Sequence, residues 1–146
     1  MSIPQLIPTS LRVFPVRLLP DMDVLSTIRN LIIENNLQAV FILTCVGSIK
    51  SGRLRLANST DTIDLNKSHE IVSLVGTIDQ QSEHLHGSFS DEKGSVIGGH
   101  VMSDVEMRVF TTVEIVLAEC ENVVFSREFC SRSGYLELVI TKKIEQ

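Results

Sequence analysis

Hydrophobic and polar positions recur with a helical period in one segment of the chain, which follows Pro20. The apolar positions at this spacing are Val24, Leu25, Ile28, Leu31 and Ile32. Polar residues take the opposite face, so the pattern predicts one amphipathic helix. Asp21 or Asp23 suits its amino-terminal cap or first turn, and Asn35-Asn36 is predicted to end it.

Strand-like patterns occupy most of the remaining sequence. Near-continuous apolar runs and β-branched residues are typical of strands that are buried in a sheet. By these signals, strands are predicted at residues 10–18, 38–46, 49–57, 70–78, 109–120, 123–126 and 136–141. The first of them is expected at a sheet edge, because Pro15 has no N–H to donate to a central ladder.

Polar and glycine-containing stretches separate these strands. Gly47-Ser48 is interpreted as a turn, and the polar residues 58–68 as a loop. The balance of roughly seven to nine strands against one helix predicts an α+β fold around a largely antiparallel sheet. The 146 residues suffice for one such domain with a substantial core. We place its limits at 10–142, between an N-terminal extension, 1–9, and a C-terminal tail, 143–146.

Three histidines lie on the strands of a predicted β-hairpin. His84 and His86 are separated by one residue, so on a strand their side chains point to the same side of the sheet. A turn signal follows them, in which Gly94 suits the position of positive φ in a three-residue hairpin loop. If residues 92–94 form that loop, counting outward from it brings His100 opposite His86.

This register would place all three imidazoles on one face, within reach of a common ion. Neutral imidazole is the commonest protein ligand for zinc, and three histidines with an open fourth position form a known catalytic zinc arrangement. Gly98-Gly99 indicates a bulge or the close approach of a ligand or another backbone. A register slip of one residue would instead send His100 to the opposite face. The alternative interpretation is that these are surface or hydrogen-bonded strand histidines.

Composition limits the classes of partner and the cellular location that we expect for the chain. The formal net charge is −5 and the cationic residues are scattered, which argues mildly against a nucleic-acid-binding face. No apolar run approaches the length of a membrane span, so no membrane partner is expected. Residues 1–8 lack the basic start and long apolar segment of a secretory signal. Three cysteines without Cys-x-x-Cys spacing favour reduced thiols and an intracellular location, cytoplasmic or nuclear.

A set of motifs, taken in order, resembles the PPC domain, the "plants and prokaryotes conserved" domain. The most specific are His84-Leu85-His86, Gly98-Gly99-His100 and Thr112-Val113-Glu114. Pro20-Asp21-Met22-Asp23-Val24-Leu25 resembles the family's helix start, and Ser133-Gly134-Tyr135-Leu136-Glu137-Leu138 its terminal strand. In plants this domain follows AT-hook motifs in nuclear proteins, and in bacteria and archaea it usually stands alone. We therefore assign 10–142 to a PPC domain.

The resemblance implies a fold, an assembly and a metal. It implies an antiparallel sheet of about seven strands with one packed helix, a homotrimer, and the fold group that includes α-acetolactate decarboxylase. That enzyme similarly holds zinc with a His-x-His pair and a later histidine, so the resemblance supports zinc at His84, His86 and His100.

Two departures from the plant relatives bear on DNA. The chain has no Arg-Gly-Arg-Pro AT-hook. Ser68-His69-Glu70-Ile71-Val72 stands where those relatives carry a Gly-Arg-Phe-Glu-Ile-Leu run for partner transcription factors. The departures argue against a plant-type transcriptional role. We therefore expect any DNA association to be weak, and protein partners beyond the homotrimer stay open.

Two functions follow from these observations. The first is a trimeric binding and assembly module with a structural or regulatory zinc ion. The alternative is a zinc-dependent enzyme of the lyase or hydrolase type, in which Glu114 serves as general acid or base. Glu114 is equally interpreted as a strand residue that faces solvent or pairs with an arginine. A fourth protein ligand would favour the module, and an open coordination position beside a pocket would favour the enzyme.

Other polar residues near the hairpin have simpler interpretations. Asp91 and Glu92 are assigned to turn chemistry. Asp104 and Glu106 are predicted to lie in the loop after the hairpin, and His69 to be a surface residue at the start of a strand.

Overall fold

The computed structural model describes residues 5–144, which fold into one helix and ten strands. The helix is α1 (Val24–Glu34). The strands are β1 (Leu11–Leu18), β2 (Val40–Ile49), β3 (Gly52–Arg55), β4 (Thr62–Leu65), β5 (His69–Ile78), β6 (Glu83–Ser90), β7 (Val96–Val101), β8 (Val109–Cys120), β9 (Val123–Cys130) and β10 (Tyr135–Lys142). The prediction of a small α+β domain is confirmed, with more strands than expected. Parts of the predicted extension 1–9 and tail 143–146 lie outside the described residues.

Eight of the described strands form one sheet in the order β1-β8-β2-β5-β6-β7-β3-β4, and β9 and β10 form a separate two-stranded sheet. The strand pairings are antiparallel throughout. β1 lies at one edge, as predicted from Pro15, which lies opposite Val116 of β8. The hairpin of β6 and β7 lies towards the other edge, between β5 and β3.

Two predicted connections are strands in the structure. Gly47 and Ser48 are not a turn, because β2 continues through them to Ile49. The pairing of β2 with β8 changes register between Gly47 and Ile49, as at a β-bulge. Residues 58–68 are not all loop, because Thr62–Leu65 forms β4 and pairs with β3 at the sheet edge. β4 is a short edge strand that is held by backbone hydrogen bonds on one side, and its two polar and two apolar residues are too few to show a strand pattern.

Helix α1 contributes its apolar face to the main core. Its buried side chains are Val24, Leu25, Ile28 and Ile32. Burial of each such side chain contributes about 1.5–3 kcal/mol to folding. Of the two predicted caps, Asp23 is the one used: its carboxylate accepts the N–H of Ser26 at 2.9 Å and that of Met107 at 2.7 Å. Among residues 5–144, no helix is long and apolar enough to cross a membrane.

The other face of the large sheet carries exposed apolar side chains, which we call the outer apolar face. Side chains alternate along a strand, so those next to buried core residues point away from the core that α1 helps to form. The residues of this face are Leu43, Val46, Val72, Val75 and Phe110, each at least 47% exposed. The face reaches the histidine hairpin, because Val75 of β5 lies opposite His86 of β6.

Candidate metal centre

The hairpin of β6 and β7 has the predicted loop and register. The N–H of Asp91 donates to the carbonyl of Ser95 at 3.0 Å, which closes the loop over residues 92–94. The Asp91 carboxylate also accepts the N–H groups of Lys93 and Ser95, each at 2.9 Å, as its assignment to turn chemistry predicted. Gly94 has φ of 80°, the positive value that the loop requires. Counting outward from this loop, His86 lies directly opposite His100.

The three imidazole rings converge on the outer side of the sheet. One ring nitrogen from each of His84, His86 and His100 lies within 4.8 Å of the other two. The ring centroids are 5.1, 5.2 and 5.6 Å apart. The Nε2 atoms of His84 and His86 are 3.3 Å apart. The register slip that would have separated His100 from the pair does not occur.

This donor set fits a zinc ion. Two nitrogens bound at about 2.0–2.1 Å in a tetrahedral geometry lie about 3.3–3.4 Å from each other. The two Nε2 atoms of His84 and His86 already have this separation. In the described part of the chain, the Nδ1 atom of His100 is buried without a hydrogen-bond partner. A buried polar atom is normally satisfied, so this nitrogen has unused capacity to bind a ligand.

The surroundings lower the pKa of two of these histidines. The pKa of His84 is lowered by partial burial, and then by the neighbouring charges of His86 and Arg127. The pKa of His100 is lowered by partial burial, and then by the charge of Arg55. A metal competes with the proton for the ring nitrogen, so a lowered pKa favours the form that binds metal.

Two half-open depressions adjoin the histidines. A depression of about 730 Å³ is lined in part by His86 and His100, and one of about 600 Å³ by His84 and His100. Arg55 and Tyr135 line both, and the guanidinium carbon lies 5.6 Å from the centre of the tyrosine ring. The histidines therefore face accessible space, where a further ligand can enter.

The hairpin of β9 and β10 is attached beside this site through Arg127. The Arg127 side chain is 9% exposed and pairs at 3.2 Å with Asp79, whose side chain is 4% exposed. Arg127 also donates to the hydroxyl of Thr77 at 2.8 Å. Because Thr77 lies opposite His84 in the pairing of β5 with β6, these contacts hold β9 next to the histidine cluster.

Glu114 does not join the histidine cluster. It lies on β8, which β2 and β5 separate from β6. At about 4.8 Å per strand, β8 is roughly 14 Å from β6. The Glu114 side chain is exposed, lies opposite Arg17 of β1, and lines a different depression. An acid or base role for Glu114 stays a prediction, and one that this single chain does not support geometrically.

His69 starts β5 as predicted, but it is not a surface residue. It is 6% exposed, and its Nδ1 lies 2.8 Å from the carbonyl oxygen of Lys67. The prediction was wrong because the first residue of this strand points into the core, as Ile71 does two residues later.

Two site neighbours, Arg55 and Tyr135, were not predicted from the sequence. The available signal for Arg55 was the alternation along β3, which puts it on the same side as Arg53. Its place beside His100 depends on the pairing of β3 with β7, which the alternation alone does not specify. Tyr135 reaches the site from the separate β9–β10 hairpin.

Solved structures share this fold over nearly their whole length. A hypothetical protein from Salmonella cholerae-suis (Salmonella enterica) is 37% identical, with a TM-score of 0.90 over 94% of this chain and 99% of that one. A metal-containing protein from Archaeoglobus fulgidus is 20% identical, with a TM-score of 0.80 over 92% and 99%. A candidate DNA-binding protein from Bacteroides thetaiotaomicron is 19% identical, with a TM-score of 0.73 over 90% and 96%. The last two likenesses show the fold alone.

Sequence comparison identifies the family. The chain is 41% identical over 143 residues to the bifunctional protein GlmU of Synechococcus sp. (strain JA-3-3Ab). The match covers 97% of this chain and 23% of that protein, so the chain spans less than a quarter of its relative's length. The model of the Plants and Prokaryotes Conserved (PCC) domain matches residues 6–121. The resemblance seen in the motifs is thus confirmed, and the chain belongs to the Plants and Prokaryotes Conserved domain family.

Proposed function

We propose that the chain is a metal-binding assembly module of this family, which holds one zinc ion through His84, His86 and His100. The observation that carries the proposal is the convergence of three imidazole nitrogens within 4.8 Å of one another. A single hairpin supplies all three, so the ligands are arranged by local structure before any ion arrives.

Zinc is the metal that we infer from the donor set. Three neutral nitrogens suit zinc, whose sites are commonly tetrahedral, whereas calcium and magnesium prefer oxygen ligands. In the described residues, no fourth histidine, cysteine or carboxylate joins the group. The fourth position is therefore left to water, to a small ligand or to a residue of a neighbouring copy.

We infer that the module assembles as a homotrimer. The number comes from the resemblance to the family. The outer apolar face supports assembly, because contiguous exposed apolar side chains on a sheet are typical of interaction surfaces. The opposition of Val75 and His86 means that contact at this face would place a second copy close to the metal centre.

DNA is, in this proposal, a weak partner. The arginines that could contact phosphate are largely committed to carboxylates of the chain itself. Arg53 pairs with Asp64 and Asp104, and Arg12 pairs with Glu119. Together with the net charge of −5, this leaves little free positive surface for a phosphate backbone.

A zinc-dependent enzyme is the second candidate function, and the accessible depressions beside the histidines favour it. A bound zinc ion would act there as a Lewis acid or activate water. In this case Glu114 would have to come from a neighbouring copy, because β2 and β5 separate it from β6 within one chain.

Metal analysis tests the proposal. Protein that has been loaded with zinc and desalted should hold one ion per subunit by mass spectrometry. His86→Ala should lose the ion and keep its circular dichroism spectrum, because His86 is exposed and adds nothing to the core. His69→Asn removes a histidine that lies outside the cluster, and this variant should keep the ion. A wild-type protein that holds no zinc, or a His86→Ala variant that retains it, would contradict the proposal.

X-ray absorption by the bound zinc separates the two candidates. A water or exchangeable ligand in the fourth position favours the enzyme, and a fourth protein ligand favours the module.

A further inference from the structure

Arg55 occupies a defined position beside the metal centre. In the pairing of β3 with β7, Arg55 lies directly opposite His100, and Leu54 lies opposite Val101. Leu54 and Val101 are buried in the core, at 0% and 4% exposure. Because neighbours along a strand point to opposite faces, Arg55 and His100 both project to the side that carries the histidines.

Among the described residues, Arg55 forms no ion pair with a carboxylate. Glu83 and Glu137 line one of the two depressions with it, but Glu83 pairs with Arg29 instead. The Nε atom of Arg55 is buried without a hydrogen-bond partner. Arg53, two residues earlier on the same face, shows the contrast, because it binds Asp64 at 2.6 Å and Asp104 at 2.9 Å. Arg55 lines two accessible depressions without a carboxylate partner, so its guanidinium has donors that can bind an anion from outside the chain.

Tyr135 holds this guanidinium at the depressions. Its ring centre lies 5.6 Å from the guanidinium carbon, within the range of a cation–π contact. Arg55, His100 and Tyr135 line both depressions. A ligand that enters either one would therefore meet the free guanidinium and the metal-binding face together.

The ligand that fits these groups is a carboxylate. A guanidinium presents a planar fork of N–H donors that binds a carboxylate through two parallel hydrogen bonds. Phosphate sites generally combine several cations or a helix N-terminus. Arg127, a second arginine beside the histidines, is already bound to Asp79 and Thr77. The amino-terminal end of α1, the helix of the described residues, does not line either depression.

We propose that Arg55 binds the carboxylate group of a small organic acid beside the metal centre of His84, His86 and His100. The inference rests on the proposed metal site and adds the class of ligand and the residue that recognises it.

Acetate titration of the cobalt-loaded protein tests this. Cobalt(II) takes the place of zinc because zinc has no visible absorption, and metal content is measured first for every variant. Acetate should change the cobalt spectrum of the wild type, and neutral acetamide, its uncharged analogue, should not. Arg55→Gln should keep the metal and require at least about tenfold more acetate, because it loses charge-assisted hydrogen bonds. Arg55→Lys should be intermediate, since it keeps the charge and loses the fork.

Lys93→Gln is the matched control for charge. Lys93 lies in the loop at the far end of the same hairpin and is exposed, so its replacement should leave the acetate response unchanged.

The inference is wrong if Arg55→Gln responds to the same acetate concentration as the wild type, or if inorganic phosphate binds the wild type more tightly than acetate. It is also wrong if Arg55→Gln dissociates the oligomer, because a carboxylate of a neighbouring copy would then be the partner. A wild type that takes up no metal removes the proposed metal centre and this inference together. If the protein binds metal but its response to acetate is the same with and without Arg55, only this inference is wrong and the proposed metal centre stands.

Discussion

Asp79 and Arg127 form an ion pair that is almost fully withdrawn from solvent, with side chains 4% and 9% exposed. The pair joins the end of β5 to the β9–β10 hairpin, next to the strand that carries His84. Asp79 also accepts the N–H groups of Gln81 and Ser82, each at 2.8 Å, and so shapes the turn that leads into β6. One carboxylate thus connects three parts of the chain around the candidate site.

Replacement of Asp79 should be among the most destabilising substitutions outside the apolar core. Asp79→Ala leaves Arg127 as a buried cation without its carboxylate and frees two turn N–H groups, so we expect a loss of about 3–5 kcal/mol. Arg127→Met should cost less, because Asp79 keeps its turn hydrogen bonds. Urea unfolding measures both. Lys67→Met removes the exposed ion pair with Glu92 and should change stability little. If it destabilised the protein as much as Asp79→Ala does, burial would not be the reason for the large effect at Asp79.

Gly76→Ala should disturb the proposed metal centre through the backbone. Gly76 has φ of 144°, and a Cβ there would lie 1.9 Å from the carbonyl oxygen of His84. We expect β6 to shift, which should lower the free energy of unfolding by roughly 1–3 kcal/mol and weaken zinc retention. Gly94→Ala is the control, because a Cβ there meets nothing within 4 Å. Gly94→Ala should lower the free energy of unfolding by about 1 kcal/mol, because alanine disfavours the positive φ at this position, and it should leave zinc affinity unchanged. Urea unfolding and equilibrium dialysis measure the two effects.

Zinc affinity should fall as the pH decreases below the ordinary histidine value of about 6.5. The pKa values of His84 and His100 are lowered, so these rings are neutral at pH 7 and protons displace the metal only at lower pH. Affinity is therefore fully present above about pH 6.5 and is lost as the pH falls through the lowered values. Equilibrium dialysis between pH 8 and pH 4.5 checks this. An affinity that stays constant over this range would show that the histidines are not the ligands.

Val46→Lys should convert the proposed trimer into monomers. Val46 lies on the outer apolar face and is 53% exposed, and an added charge there would be buried without a partner on association. Ile33→Lys is the matched control, because Ile33 is also 53% exposed but lies on α1, which packs on the core side of the sheet. Sedimentation should give trimers for the wild type and the control at micromolar concentration. A monomeric wild type would contradict the assembly proposal.

Local signals predicted the parts of the structure that local interactions determine. The helical period predicted α1 and left Asp21 and Asp23 as its two candidate caps, and a loop of three residues determined which histidines oppose each other. A hairpin loop transmits its register directly to both strands, so His86 and His100 could be paired by counting. The confirmed register, with His100 on the same side as the other two, followed from that short connection.

Pairings between distant segments were not predictable in this way. Arg55 lies opposite His100 because β3 pairs with β7 in the sheet. No short turn connects these two strands, so their pairing could not be predicted by counting from a loop. The interpretation of Gly47 as a turn failed for a related reason, since the register shift in β2 is stabilised by β8, a strand far along the chain. Glu114 has the residue type that acid–base chemistry needs, but the strand order of the sheet keeps it away from the histidines.

The confinement of all three histidines to residues 84–100 has a consequence for how the protein matures. Closing a short hairpin takes microseconds and costs little chain entropy, whereas the pairing of β1 with β8 joins segments about a hundred residues apart in the chain. The low contact order of the hairpin lets it form before those distant strands meet. The ligands of the proposed zinc site can therefore come together before the sheet is complete.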